Sequence, residues 1–298
     1  MQLDQIEAFV TIARAGNLTR AAASLHLSQP AVSRRLTQLE RELGAPIFER
    51  VRSGVVLTAA GHAFMPFAES VLAGIRDGRD AVRALEQPDE GTITLALVGT
   101  LASTALPRRL AAFRRAHPRV RVLLRTDTSR GVSERVRRGD ATLGLRYFPD
   151  RSAEIESHSI SDEALVVACA VHHRLARARS VAPRALAGEA WIGFPVRPGG
   201  EGYSHIQAER LAACGLGDAE VITIDSLTAQ KRLIEAGFGI GLLPETSIEE
   251  ELRRRTLAVL RVPAMRASIP VVAIHRRRGY LGGAARRLLE MLRSSKMR

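Results

Sequence analysis

Lysine is almost missing from these 298 residues: only Lys231 and Lys296 occur, so nearly all of the 44 basic side chains are arginine. Cysteine is as scarce. Cys169 and Cys214 lie far apart and in no CxxC or metal-ligand spacing, which argues against a disulfide framework or a zinc site and favours two small buried hydrophobes. No stretch approaches the roughly 20 apolar residues of a membrane-spanning helix. The N-terminal segment carries Asp4 and Glu7 and no continuous apolar run, unlike a signal peptide. A cytoplasmic protein without a membrane partner is expected. Catalytic signatures are missing too: there is no HExxH, no GxSxG and no GxxxxGK followed by Ser or Thr. The run Gly237-Phe238-Gly239-Ile240-Gly241 follows a predicted helix, whereas a dinucleotide fingerprint follows a strand and opens a helix. His172-His173 reads as surface loop, with no ligand partner at metal spacing. Neither an enzyme nor a cofactor is expected.

What is present is an ordinary globular composition, 46% hydrophobic and 25% charged, with length for two domains. The formal charge of +13 is unevenly placed. Residues 1–90 hold 10 arginines against 11 acids, and the remaining chain holds 34 basic against 20 acidic residues. Net charge is therefore no argument for nucleic acid here.

The argument comes from pattern. Leu3, Ile6, Phe9, Val10 and Ala13 recur at helical spacing, and Gly16-Asn17 end that helix. Thr19 is a candidate N-cap for a short alanine-rich helix over Arg20–Leu25. Ser28 caps a third helix, with Pro30 tolerated in its first turn and Gly44 at its end. Its buried stripe is Val32, Leu36, Leu39 and Leu43, and its opposite face presents Gln29, Ser33, Arg34 and Thr37. Two short helices with such a polar second helix describe a helix-turn-helix, in which Gln pairs with adenine and Arg with guanine or phosphate. The segment Pro46–Leu57, turning at Ser53-Gly54, reads as a hairpin wing whose Arg50 and Arg52 reach phosphate or the minor groove.

The stretch NLTRAAASLHLSQPAVSRRLTQLERELGAPIFERVRSGVVLTAAG resembles the winged helix-turn-helix of LysR-type transcriptional regulators, with SQPAVSR, LE-x-x-LG, FER and LT-x-AG in order between Leu3 and Gly61. The wing carries Ser53 where the family pattern has a basic residue, with Arg52 beside it. Thr58 is placed to cap a long helix to about Leu85, along which Phe64, Phe67, Val71, Ile75, Val82 and Leu85 form a seam. Pro66 lies near its start, and Gln87–Gly91 reads as a linker. A single helix with that seam calls for a partner helix, so a homo-oligomer, dimer or tetramer, is expected.

Beyond Thr92, predicted strands (92–98, 120–125, 141–145) alternate with helices (106–116, 132–138), which implies a parallel sheet. A second series of strands (163–170, 191–194, 220–224, 240–243) and helices (203–214, 227–236) follows, before a returning strand at 271–274 and a last helix at 283–292. The expected fold class is α/β: a winged helix-turn-helix over 1–60, a linker helix and hinge over 61–90, and a two-lobed effector-binding domain over 91–298. Lobe I comprises 91–161 and 266–298, and lobe II 162–265. Residues 92–295 are similar to the family's effector domain, which itself resembles periplasmic solute-binding proteins; LPRRLAAFRRAHPRV and DSLTAQKRLIEAGFGIGLLPE carry that likeness.

The resemblance implies a function: a regulator of transcription that binds operator DNA and is modulated by a small molecule between the lobes. DNA contacts are expected at Thr19, Ser28, Gln29, Pro30, Ser33, Arg34, Thr37, Arg50 and Arg52. Effector contacts fall by position at Thr100, Leu101, Ser103, Thr128, Phe194, Arg197 and Asp225, with Arg146 and Phe148 ending a central strand nearby. The arginine excess points to an anionic effector, and RNA polymerase is a further expected partner. A free-standing solute-binding protein is disfavoured by the winged head, and an enzyme on the same scaffold by the missing catalytic signatures.

Overall fold

A computed structural model describes residues 1–86, 90–103, 106–196 and 202–294. Two compact units emerge: Met1–Glu86 with Arg137–Asp140 and Arg278–Tyr280, and the remaining described chain.

The first unit holds α1 (Leu3–Ala15), α2 (Leu18–Ser24), α3 (Gln29–Leu43), the hairpin β1 (Phe48–Val51) and β2 (Gly54–Leu57), and the long α4 (Ala59–Glu86). Helix α1 ends on Gly16 at φ 65° and α3 on Gly44 at φ 72°, left-handed positions that favour glycine. Ile6, Phe9, Val10 and Ile12 of α1 close on Ala21 and Ala22 of α2, Val32, Leu36 and Leu39 of α3, and Val55 of the hairpin. Phe9 lies between Phe48 and Phe64, ring centroids 5.4 and 5.2 Å away. Two expectations need correction. Asn17, not Thr19, caps α2: its side-chain oxygen accepts from the N–H groups of Thr19 and Arg20 at 2.8 and 3.3 Å. Leu43 is 36% exposed, because the last turn of α3 runs past the edge of this core.

The hairpin is held by main-chain contacts. Val55 N–H donates to Gly16 O at 3.0 Å, and Gly54 sits at φ 141° so close that a Cβ would lie 2.1 Å from the same carbonyl. The turn itself is Arg52-Ser53, one residue earlier than expected. Thr58 Oγ1 accepts from Gly61 N–H at 3.1 Å and donates to Pro46 O at 2.7 Å, starting α4 and tying it to the wing. Helix α4 runs through Pro66.

In the second unit, β3 (Gly91–Val98), α5 (Leu106–Ala116), β4 (Val120–Asp127), α6 (Ser129–Arg137) and β5 (Leu143–Tyr147) form parallel βαβ units, with β3 between β4 and β5. The chain then enters β6 (Ile155–Ala170), 16 residues long. It continues through β7 (Trp191–Gly193), α7 (Tyr203–Ala213), β8 (Val221–Thr223), α8 (Leu227–Glu235), β9 (Gly241–Pro244), α9 (Glu249–Arg254) and β10 (Leu257–Leu260). It returns through β11 (Ala267–Arg276) and ends in α10 (Gly283–Ser294).

The expected parallel sheet is in fact mixed. β11 runs antiparallel to β5 and β6, and β9 and β10 run antiparallel to β6, completing seven strands. Two long strands crossing between the halves of this unit in opposite directions need no helical crossover between them. Their pairing shifts register between Val271 and Val272, where Ile160 is inserted opposite. β7 and β8 form a separate parallel pair that meets Ile240 through Trp191. Val132 and Val136 of α6 pack with Ile155, Val272 and Ile274 in one layer. Leu288, Leu289 and Leu292 of α10 join the larger core with Phe113 of α5.

Candidate nucleic-acid interface and effector site

The tip of the head is built from two helix starts. Ser28 Oγ accepts from Ala31 N–H at 3.4 Å to begin α3, and Thr19 Oγ1 contacts Gln29 Oε1 at 3.5 Å across from α2. Thr19, Ser28, Gln29, Pro30, Arg34 and Thr37 are exposed and Ser33 is half-buried, so the expected reading residues share one open face. The adjacent Arg35 points elsewhere and pairs with Asp4 at 3.2 Å. Among the described residues Arg34, Arg50 and Arg52 enter no ion pair, and all three are exposed. Glu40 Oε1 accepts from Ile47 N–H at 2.9 Å, fixing where the wing leaves α3. Free guanidinium groups on a helix tip and an adjoining hairpin are what phosphate and base edges require.

Helix α4 keeps its apolar seam open. Phe67 is 71% exposed, Val71 44%, Val82 61% and Leu85 84%, whereas Phe64 packs into the head's core. Four large hydrophobics along one helix constitute an unpartnered stripe in this single chain.

The predicted effector residues divide into two groups. Thr100 is buried and its hydroxyl meets the Tyr147 hydroxyl at 2.7 Å. Leu101 is buried in the core, Ser103 is exposed, and Phe194 packs edge-on against Tyr203 with centroids 5.4 Å apart. Thr128 is exposed; its hydroxyl accepts from Gly131 N–H at 3.1 Å, opening α6. Asp225 is exposed, and Arg197 lies outside the described residues, as does most of the expected linker (87–89). Phe148 adopts φ 59°, an uncommon conformation for a non-glycine residue, and donates its N–H to Pro270 O at 3.0 Å.

Arg146 is not open to a ligand. It is 7% exposed, and its guanidinium donates to Ser133 Oγ at 2.7 Å, to Asp150 Oδ2 at 2.9 Å and to Tyr147 O at 3.1 Å. Burial would raise the Asp150 carboxyl, but hydrogen bonds from Ser133 and Ser152 and the Arg146 charge hold it at about 2. This is a buried ion pair that joins β5 to α6 and the following loop.

Three residues around Thr100 were missed from sequence. Burial pushes the Tyr147 phenol far above its ordinary range. Tyr203 is raised likewise by burial and by the neighbouring Tyr147, and among the described residues its buried hydroxyl has no hydrogen-bond partner. Glu163 on β6 is 2% exposed; burial raises its carboxyl, with the Glu249 charge adding to this, and it accepts from the Thr246 hydroxyl at 2.6 Å. Tyr147 lies two residues beyond the predicted strand 141–145 and closes the observed β5, whereas Glu163 begins a predicted strand, so proximity to a β-end was the available signal. Both cysteines are free; burial and the Glu189 charge raise the Cys169 thiol to about 12, so it stays protonated. His173 is held by Glu189 at 3.2 Å in its loop.

The fold and these surfaces define a winged helix-turn-helix head with an α/β ligand-binding domain. Residues 3–62 match the bacterial regulatory helix-turn-helix proteins of the lysR family, and residues 86–296 match the LysR substrate binding domain. The chain belongs to the LysR family of DNA-binding transcriptional regulators. It is 28% identical over 298 residues to the RuBisCO operon transcriptional regulator of Allochromatium vinosum, covering 100% of this chain and 97% of that one. It is 30% identical to the regulator CfxR of Cupriavidus necator, over 88% of this chain and 81% of the relative. Among solved structures it is similar to full-length CbnR complexed with its target DNA, at TM-score 0.68, 28% identity and 99% of each chain. These relatives are regulators and not enzymes. No described helix is long and apolar enough to cross a membrane.

Proposed function

We propose that this regulator reads its operator by laying the start of α3 in the major groove. Gln29, Pro30, Ser33, Arg34 and Thr37 would face base edges, Thr19 and Ser28 the flanking phosphates, and Arg50 and Arg52 the backbone or minor groove. The observation that carries this is the set of exposed guanidinium groups, Arg34, Arg50 and Arg52, in no ion pair among the described residues, while the adjacent Arg35 is tied back to Asp4. The exposed seam of α4 supports pairing with a second copy, as dimer or tetramer, which presents two heads to two half-sites. In this reading residues 1–60 form the reader, 61–90 the linker, and 91–298 the effector domain, with lobe I 91–161 and 266–298 and lobe II 162–265. The protein acts in the cytoplasm and signals to RNA polymerase.

The effector is a small molecule bound beside Thr100, with Ser103, Thr128, Phe194 and Asp225 around it. Binding shifts the spacing of the paired heads. The orphan Tyr203 hydroxyl supports a ligand with an acceptor oxygen, such as a carboxylate, and Arg146 has no part in holding it. The test is footprinting of the promoter with wild type and Leu85→Arg. Wild type should protect two symmetric half-sites, and the variant, monomeric by sedimentation, should lose most of its affinity. A dimeric Leu85→Arg would remove the α4 seam from the account. An unchanged effector response in Thr100→Val and Thr128→Ala would remove the effector site.

A further inference from the structure

Outside the residues assigned to the effector, β6 and β11 bring together three side chains with metal-ligand chemistry. Glu156 and His158 alternate along β6 and so share one face, and the antiparallel register sets His275 of β11 directly opposite Glu156 and diagonal to His158. His158 Nε2 is 3.0 Å from His275 Nε2 and 3.5 Å from Glu156 Oε1, and one ligand atom from each of the three lies within 4.8 Å of the others. All three are half-buried. His275 Nδ1 lies 2.9 Å from the carbonyl of Arg276, an acceptor only, so this nitrogen carries the proton and Nε2 is left as a lone pair. That carbonyl–imidazole contact is the arrangement that orients metal-bound histidines.

We propose that Glu156, His158 and His275 form a binding site for a divalent transition-metal ion of the zinc type, with a water or a further ligand completing the shell. Two imidazoles and one carboxylate suit zinc, cobalt or nickel better than calcium or magnesium. A tetrahedral zinc with bonds of about 2.0–2.1 Å sets its nitrogens about 3.3 Å apart, close to the separation here. In the present arrangement His158 Nε2–H donates to His275 Nε2. The ion takes the place of that proton, which moves to Nδ1 of His158 in the other neutral tautomer, while both rings pivot towards Glu156. Arg293 on α10 is the cation that the carboxylate of Glu156 must outweigh. A bound ion would pin together the two long strands that link the halves of the domain.

The experiment uses the full-length, tag-free protein, dialysed against a chelator and titrated with Zn2+ and, separately, Co2+. One saturable site per chain is expected, with cobalt giving visible d–d absorption and no thiolate charge-transfer band. His158→Gln and His275→Gln should abolish uptake, Glu156→Gln should weaken it about tenfold, and His173→Ala should leave it intact. Melting of the metal-free variants distinguishes a lost site from a lost fold; if one histidine variant unfolds, the other and Glu156→Gln still report. No saturable uptake, uptake that survives in folded histidine variants, or a thiolate band assigning the ion to Cys169 or Cys214 would each overturn the proposal.

Discussion

The two regions of this chain differ in charge balance, while each ties down some of its arginines and leaves others exposed. The first 90 residues are nearly charge-balanced, with 10 arginines against 11 acids, yet Arg34, Arg50 and Arg52 stand exposed and outside any described ion pair. The remainder carries 34 basic against 20 acidic residues. Some of its arginines are engaged, Arg146 with Asp150, Arg135 with Asp127, Arg174 with Glu189, Arg232 with Glu235 and Arg254 with Glu250, as Arg14 and Arg35 are in the head. A surface that meets an anion is distinguished by whether its cations are free, and net charge is a poor guide to that.

The largest break in this comparison comes from the buried pair. Arg146→Met leaves Asp150 without its countercharge and should cost about 3–5 kcal/mol in denaturant unfolding of the C-terminal domain. A loss near zero would mean that Arg146 is not structural. The same pair sets a pH limb. The Asp150 carboxyl lies lower in the folded chain, at about 2, than the roughly 3.9 of an unfolded aspartate. Its contribution is therefore full above about pH 4 and is lost as pH falls through about 2. Asp150→Asn should flatten that part of the stability profile, measured by thermal melting across pH.

In the head, Gly54→Ala forces a Cβ against the Gly16 carbonyl in a left-handed position and should destabilise the wing by about 1–3 kcal/mol, read from head-specific melting. Arg34→Ala should cost about 1–3 kcal/mol of operator binding and relax preference at one base pair. Arg50→Ala and Arg52→Ala should have the smallest effect, weakening all duplexes alike and reducing the salt slope by about one each.

Legibility in the sequence followed the range of the interactions. The head depends on caps and periodicity within a few residues, so its three helices and hairpin were readable from Ser28, Pro30, Gly44 and the Val32–Leu39 stripe. The cap at Asn17 and with it the bounds of α2, the exposure of Leu43 and the exact turn were misassigned. The mixed sheet was not readable, because the first half of β6, ESHSISD, is polar and its strand state comes from pairing with β11 over a hundred residues away. β10, the four-residue apolar run LAVL, was missed because so short a run does not separate strand from helix, and its state comes from pairing with β6. Glu163, Tyr147 and Tyr203 meet only through tertiary packing, so no local spacing announces them.

The central claim, that the tip of α3 reads sequence, is tested most directly by binding of wild type and Arg34→Ala to the DNA upstream of the protein's own gene, at two salt concentrations with an unrelated duplex as competitor. Wild-type binding that resists the competitor and weakens in Arg34→Ala is the predicted result. Binding equal on both duplexes, steeply salt-dependent and indifferent to Arg34, would contradict the account and reduce the +13 charge to non-specific attraction for phosphate.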